Sequence, residues 1–215
     1  MLKLYHCENA RSFRPLWALE ELGLEYELKM LPFPPRVLEK NYLDINPLGT
    51  IPAFFDGDMR MTESAAICHY LVVRYGPSDL NIEPSDPRFG SFLNWLHFGE
   101  ATLTFPQTLI LRYSRLEPEE RRQPQVVEDY TRWFLGRLRA VEALLAEQPY
   151  MCGEHFTAAD ISVAYAMMMA EQLGLSAQFG ERVAGYWQHV QQRPAFQRSL
   201  VQQRTAAVEQ GIDVY

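Results

Sequence analysis

Leu2, Leu4 and Tyr5 carry the pattern of a short first strand, and the polar stretch Asn9-Ala10-Arg11-Ser12 behind it reads as a turn. From about residue 12 to 22 the period changes. Phe13, Leu16, Trp17 and Leu19 share one side of a helix there, and Gly23 stands where that helix ends. Residues 26–30 return to strand alternation until Pro32, Pro34 and Pro35 stop it. A short helix is predicted over 37–43, followed by turn chemistry at Asn46-Pro47-Leu48-Gly49. Residues 53–55 and 59–61 read as paired strands around Asp56-Gly57-Asp58, because Asp-Gly favours tight hairpins. Thr62-Glu63-Ser64 opens a helix reaching Tyr75, with Thr62 as its cap and Glu63 in the positive first turn. The order is βαβ, an irregular helix, then ββα.

Residues 77–87 are rich in proline and free of strand pattern, the composition of a joint between domains. The predicted organisation is a first domain over 1–76, a linker over 77–87 and a helical domain over 88–215. In the last, Phe89, Phe92, Leu93, Leu96 and Leu103 recur at helical spacing, as do Val127, Tyr130, Phe134, Leu138, Val141 and Leu145. Pro106 should bend or end the first of these helices. At Phe156-Thr157-Ala158-Ala159-Asp160-Ile161, Thr157 can cap a helix, Asp160 can reach back to it, and Phe156 can pack on Ile161. The next ten residues are apolar nearly all round, which predicts a helix buried on every side and makes Asp160 a folding element.

Composition refines this picture modestly. With 215 residues, 47% hydrophobic and 22% charged, the chain can build one large or two modest cores without staples. A net charge of -7 argues against a nucleic-acid-binding face. Cys7, Cys68 and Cys152 form no C-x-x-C pair and no zinc spacing, so no metal is expected and a reducing compartment fits. The N-terminus lacks the apolar stretch of a signal peptide, and the longest nearly apolar run, 161–170, is too short for a bilayer. A cytoplasmic protein without membrane association is expected.

Three motifs, in this order and spacing, resemble the cytosolic glutathione transferase superfamily. They are residues 9–22 with the Ser12-x-Arg14 core, Asn46-Pro47-Leu48-Gly49-Thr50-Ile51-Pro52 with Thr62-Glu63-Ser64, and Phe156-Thr157-Ala158-Ala159-Asp160. The likeness covers essentially the whole chain, and Trp95-Leu96-His97-Phe98-Gly99-Glu100 looks like bacterial members. It implies an α/β plus all-α fold: a thioredoxin-like βαβ-ββα domain that binds glutathione, followed by an all-helical domain on the co-substrate side. It also implies a homodimer, with glutathione as co-substrate and a small apolar electrophile as its partner in reaction.

Glutathione offers two carboxylates, an ammonium, two peptide units and a thiol. On the resemblance, Ser64 at a helix N-terminus holds the γ-glutamyl carboxylate and Glu63 accepts from the ammonium; both residues also suit plain helix capping. A cis Ile51–Pro52 peptide would turn the Ile51 backbone toward the cysteinyl unit. Arg36 or Lys40 lies where relatives supply a group for the glycyl carboxylate, although either also reads as solvated surface charge.

Lowering a thiol pKa of about 8.5 by some two units takes about 2.7 kcal/mol of preferential thiolate stabilisation. With Gly23 matched to the glycine that ends the family's first helix, Asn9 falls where serine-type relatives carry their catalytic serine. Arg11 then falls near the cysteine of one bacterial class, and Ser12 one position later. The order of expectation is Asn9, Ser12, Arg11, with Ser12 also readable as an N-cap. An asparagine amide donates but cannot act as a base, so activation would be electrostatic.

Cys7 is the competing nucleophile, and a buried inert thiol is its alternative reading. Trp95, Phe98, Leu103, Phe105 and Tyr113 are candidates for an apolar wall, or else plain core. The expected activity is transfer of glutathione to an apolar electrophile, with peroxidase or disulfide-reductase side activity through the same thiolate. The alternatives are a non-catalytic glutathione-binding module and a Cys7-based redox protein.

Overall fold

The computed structural model describes residues 1–213 and divides the chain into two compact units. One is Met1–Asn81 together with the chain from Gln191 onward; the other is Ile82–Val190. The helical part therefore does not run unbroken from 88 to 215, because its last helix belongs with the N-terminal unit.

In the first unit, β1 (Leu2–His6), α1 (Phe13–Leu22) and β2 (Tyr26–Met30) are followed by α2 (Pro35–Leu38) and α3 (Tyr42–Ile45). Then come β3 (Ala53–Asp56), β4 (Met59–Met61) and α4 (Ser64–Arg74), giving the thioredoxin-like order expected. The four strands lie in the order β2-β1-β3-β4, with β1 parallel to β2 and the other two pairs antiparallel. Gly23 ends α1 in the left-handed conformation at φ 62°, where its N–H reaches Leu19 O, the cap geometry that glycine permits at least cost. The short helix expected over 37–43 is instead two single turns. Thr62 is not the cap of α4: Glu63 holds that position in extended backbone, and its side chain makes no capping hydrogen bond.

The C-terminal helix α10 (Pro194–Glu209) and the Arg193 before it are tied to this unit by side chains. Phe196 meets Phe13 and Trp17 edge to face, Arg193 forms a bidentate pair with Glu21, and Arg198 bonds Glu20. Past its end, Gln210 donates to Leu28 O and accepts from Met30 N, so a side-chain amide occupies backbone groups of the edge strand β2.

The second unit is helical. Its first long helix runs through α5 (Phe89–His97), a π-helical stretch Phe98–Thr104, α6 (Phe105–Leu111) and a second π stretch Arg112–Leu116. Pro106 neither ends nor breaks it. The helix widens before the proline, Phe105 N–H reaching five residues back to Glu100 O, and this relieves the clash a proline ring makes in an α-helix. The hydroxyl of Thr104 takes Gly99 O, and the Gln107 amide takes Leu103 O and Ala166 O. Then follow α7 (Pro124–Leu144), α8 (Ala158–Gln172) and α9 (Glu181–Gln191). In α8 every residue from Ala158 to Ala170 is buried, as its all-round apolar sequence requires. The capping box at its start is present: Asp160 accepts from the N–H and hydroxyl of Thr157, and also from Met151 N–H and the Tyr186 hydroxyl.

Candidate functional site

Strand register assembles the site. Tyr5 lies opposite Ala53, His6 opposite Met30, and Phe54 opposite Met61. The same edge of the sheet therefore collects the turn after β1, the Ile51–Pro52 step before β3 and the Thr62–Ser64 step after β4. This is the carboxyl end of the parallel pair, where open α/β sheets bind ligands.

Each segment is held locally. Before β3, Asn46 folds the chain upon itself: its side-chain oxygen accepts from Leu48 N–H and its amide donates to Thr50 O at 2.7 Å. The Tyr42 hydroxyl donates to the same carbonyl at 2.8 Å. Gly49 at φ 59° has Arg36 so close that a Cβ would stand 2.5 Å from Arg36 Cβ, so only glycine fits. The Ile51–Pro52 peptide that follows is cis, as the resemblance implies. Arg36 is thus brought beside this loop with an exposed side chain, while Lys40 is exposed on the turn before α3.

At the tip of α4, Ser64 is the first helical residue, 3% exposed, and its hydroxyl accepts from Arg14 Nη1 at 3.2 Å. Arg14 is fully buried in α1, so a cation stands behind the helix end proposed from sequence to hold a carboxylate. Glu63 is exposed at the preceding position.

The turn after β1 differs from expectation. Ser12 is fully buried, with Oγ 2.7 Å from His6 Nδ1 and 3.4 Å from Cys7 N. It holds the N-cap position of α1, but its buried hydroxyl makes no capping hydrogen bond and turns to His6 instead. The amides of Phe13 and Arg14 donate to Ala10 O and Arg11 O, so this helix tip keeps few N–H groups for a ligand. Arg11 is half-buried beside it. Asn9, also half-buried, sits at φ 55°, the one non-glycine residue in the left-handed region among the described residues, and asparagine tolerates that region best.

His6 and Gln203 were missed by sequence reasoning, and no local signal could have found Gln203, 197 residues away. The His6 ring is fully buried, with Nε2 2.9 Å from Gln203 Oε1. Burial pushes its imidazole down to about 4 against the hydrogen bonds with Gln203 and Ser12, so it is neutral near pH 7. Gln203 also meets Asn9 twice, through the Asn9 N–H at 3.0 Å and Asn9 Oδ1 at 2.7 Å.

Cys7 is fully buried, its thiol 3.6 Å from Pro32 O, and burial pushes it up to about 12. Burial thus keeps it a thiol near neutrality, which does not suit a redox nucleophile. Cys68 and Cys152 are buried likewise. Of the expected apolar wall, Trp95 and Leu103 belong to the core of the helical unit. Phe98 lines an open depression of about 350 Å³ with Leu93, Asn94, His97, Ala101 and Thr102, Tyr113 is half-buried, and Phe105 is 51% exposed. Among the described residues no group of side chains could hold a metal ion, and no helix is long and apolar enough to cross a membrane.

A thioredoxin-like unit with a cis-proline step and a helix tip at one sheet edge, joined to a helical unit, defines a class of glutathione-handling folds. Residues 1–73 match the family described as glutathione S-transferase, N-terminal domain, and residues 65–194 match glutathione S-transferase, C-terminal domain. Glutathione S-transferase 3 of Schizosaccharomyces pombe is 29% identical over 208 residues, spanning 91% of this chain and 85% of its own. Among solved structures, the glutathione transferase URE2P6 from Phanerochaete chrysosporium, in complex with oxidized glutathione, superposes with a TM-score of 0.84 at 27% identity, covering 95% of this chain and 97% of that one. A glutathione transferase from Methylococcus capsulatus shares the fold with a TM-score of 0.85 at 24% identity, covering 95% and 100%. The chain belongs to the glutathione S-transferase family, a family of transferases.

Proposed function

We propose that the protein transfers glutathione to a small apolar electrophile, with Asn9 as the side-chain donor that keeps the glutathione sulfur anionic. The observation that carries this reading is the gathering of residues 9, 51–52 and 63–64 at one sheet edge by strand register. Ser64, backed by the buried Arg14, takes the γ-glutamyl carboxylate, and Glu63 takes the ammonium. The Ile51 backbone meets the cysteinyl unit, and Arg36 serves the glycyl carboxylate better than Lys40 because it flanks the loop leading to Ile51.

Asn9 has no basic atom, so the thiol proton leaves to water and the amide N–H groups stabilise the charge left behind. The sulfur lone pair then forms the new bond to carbon, and the electron pair of the broken bond departs with the leaving group. The reading is of a cytoplasmic protein acting as a homodimer, as the resemblance implies. A Cys7-based redox function is not proposed.

Calorimetry with millimolar glutathione, followed by initial rates with an activated aryl halide, tests the proposal. Binding heat that weakens about tenfold or more in Ser64→Ala is expected, as for loss of a hydrogen bond to a charged group. Absence of heat in the unaltered protein, or turnover indistinguishable from free glutathione, overturns it.

A further inference from the structure

The backbone N–H of Asn9 can only donate, and it lies 3.0 Å from Gln203 Oε1, which fixes that atom as the amide oxygen. Gln203 Nε2 must then donate, and its partner at 2.7 Å is Asn9 Oδ1. The same Oε1 stands 2.9 Å from His6 Nε2, so that ring nitrogen carries a proton. In the neutral ring Nδ1 is then an acceptor, and Ser12 donates its hydroxyl proton to it at 2.7 Å. One obligatory donor thus orients four polar groups, three of them fully buried. The consequence at Asn9 is specific. Its side-chain oxygen is held by Gln203, so that oxygen is not what the amide turns toward a sulfur.

We infer that Gln203, on the C-terminal helix, is a positioning residue for glutathione activation: by holding Asn9 Oδ1 it keeps that lone-pair-bearing atom turned away from the sulfur. The inference rests on the role proposed for Asn9. Without Gln203 the Asn9 side chain can turn over and set a lone pair against the thiolate, which opposes ionisation. The turn that carries Asn9 and the helix that carries Gln203 lie 194 residues apart, and they meet because α10 packs on α1.

The test is the pKa of bound glutathione, read as thiolate absorbance against pH at saturating glutathione, in the full chain and in Asn9→Ala, Gln203→Met and Gln203→Glu. Each variant is expected to raise that pKa by about one unit, roughly tenfold less thiolate near neutrality, as for one lost hydrogen bond to a charge. The largest shift is expected for Gln203→Glu, which replaces the donor facing Asn9 Oδ1 by an acceptor. The turnover number should fall in parallel while KM for glutathione stays close to that of the unaltered protein, since residues 51–52 and 63–64 are untouched.

A shift in Asn9→Ala with none in either folded Gln203 variant overturns the positioning role and leaves the reading of Asn9 standing. No shift in Asn9→Ala overturns both. Because Gln203 is buried, nitrogen NMR of the unaltered protein gives an independent check. A neutral His6 with the proton on Nε2 is expected, and a proton on Nδ1 instead reverses the Gln203 amide and overturns the inference.

Discussion

Asn9 and Ser12 stand three residues apart in one turn, and both are good donors, yet the turn sends them in different directions. Ser12 is drawn under the strand end by His6, while Asn9 is held from the side by Gln203. Ser12→Ala should therefore cost about 1–3 kcal/mol of stability by leaving the buried His6 Nδ1 without its donor, and leave the pKa of bound glutathione unchanged. Urea denaturation and thiolate titration of one preparation check both halves; a shifted thiol pKa would restore Ser12 as a sulfur ligand. Cys7→Ser is expected to keep full transferase activity, because burial holds the Cys7 thiol up at about 12 and away from thiolate chemistry. Loss of activity in a folded Cys7→Ser protein would reopen the redox reading.

Among elements, α8 was the most legible from sequence and the long helix through Pro106 the least. Helix α8 declares itself because its start signal and its apolar run are both local: Asp160 closes the capping box three residues from Thr157, and the same carboxylate also anchors Met151 N–H and Tyr186. Asp160→Ala removes the acceptor from four donors at once and should cost about 3–5 kcal/mol, seen as a lower urea midpoint with an unchanged slope. The helix containing Pro106 is different, since local rules predict a break and the widened turn that avoids it depends on a neighbour. Gly99 in that stretch lies against α8, where a Cβ would fall 2.5 Å from the backbone of Ser162. Gly99→Ala should destabilise by about 1–3 kcal/mol through overpacking; a neutral result in denaturation would mean the contact yields freely.

Across the whole molecule two buried titrating groups oppose each other. His6 is held at about 4 against an ordinary 6.5, so its stabilising contribution is complete above pH 6.5 and is lost as pH falls toward 4. Asp160 is pushed up to about 6 from 3.8 by burial, against four donors, so its contribution is complete below 3.8 and is lost as pH rises through 6. Each amounts to about 3 kcal/mol, and over that window they nearly cancel. The unaltered protein should show a flat urea midpoint between pH 4 and 6, whereas a folded His6→Asn variant should lose stability steadily as pH rises. The same slope in both proteins would contradict the cancellation. Glu27, Asp56 and Asp86, held low by Lys29, Tyr75 and Arg88 respectively, keep their contributions in full only above their ordinary values of 4.5, 3.8 and 3.8 and lose them as pH falls further.

The sequence by itself determined the order of strands and helices, the glycine and asparagine turns, the start of α8 and the helix tip at residues 63–64. All of these depend on residues close together in the chain, where spacing and backbone preference suffice. Only the tertiary structure decided that α10 belongs to the N-terminal unit, that Ser12 turns inward and Cys7 is sealed, and that His6 and Gln203 govern the turn at Asn9. Those outcomes depend on which distant groups burial forces together, and a buried hydrogen-bonding atom must find its partner wherever packing puts one.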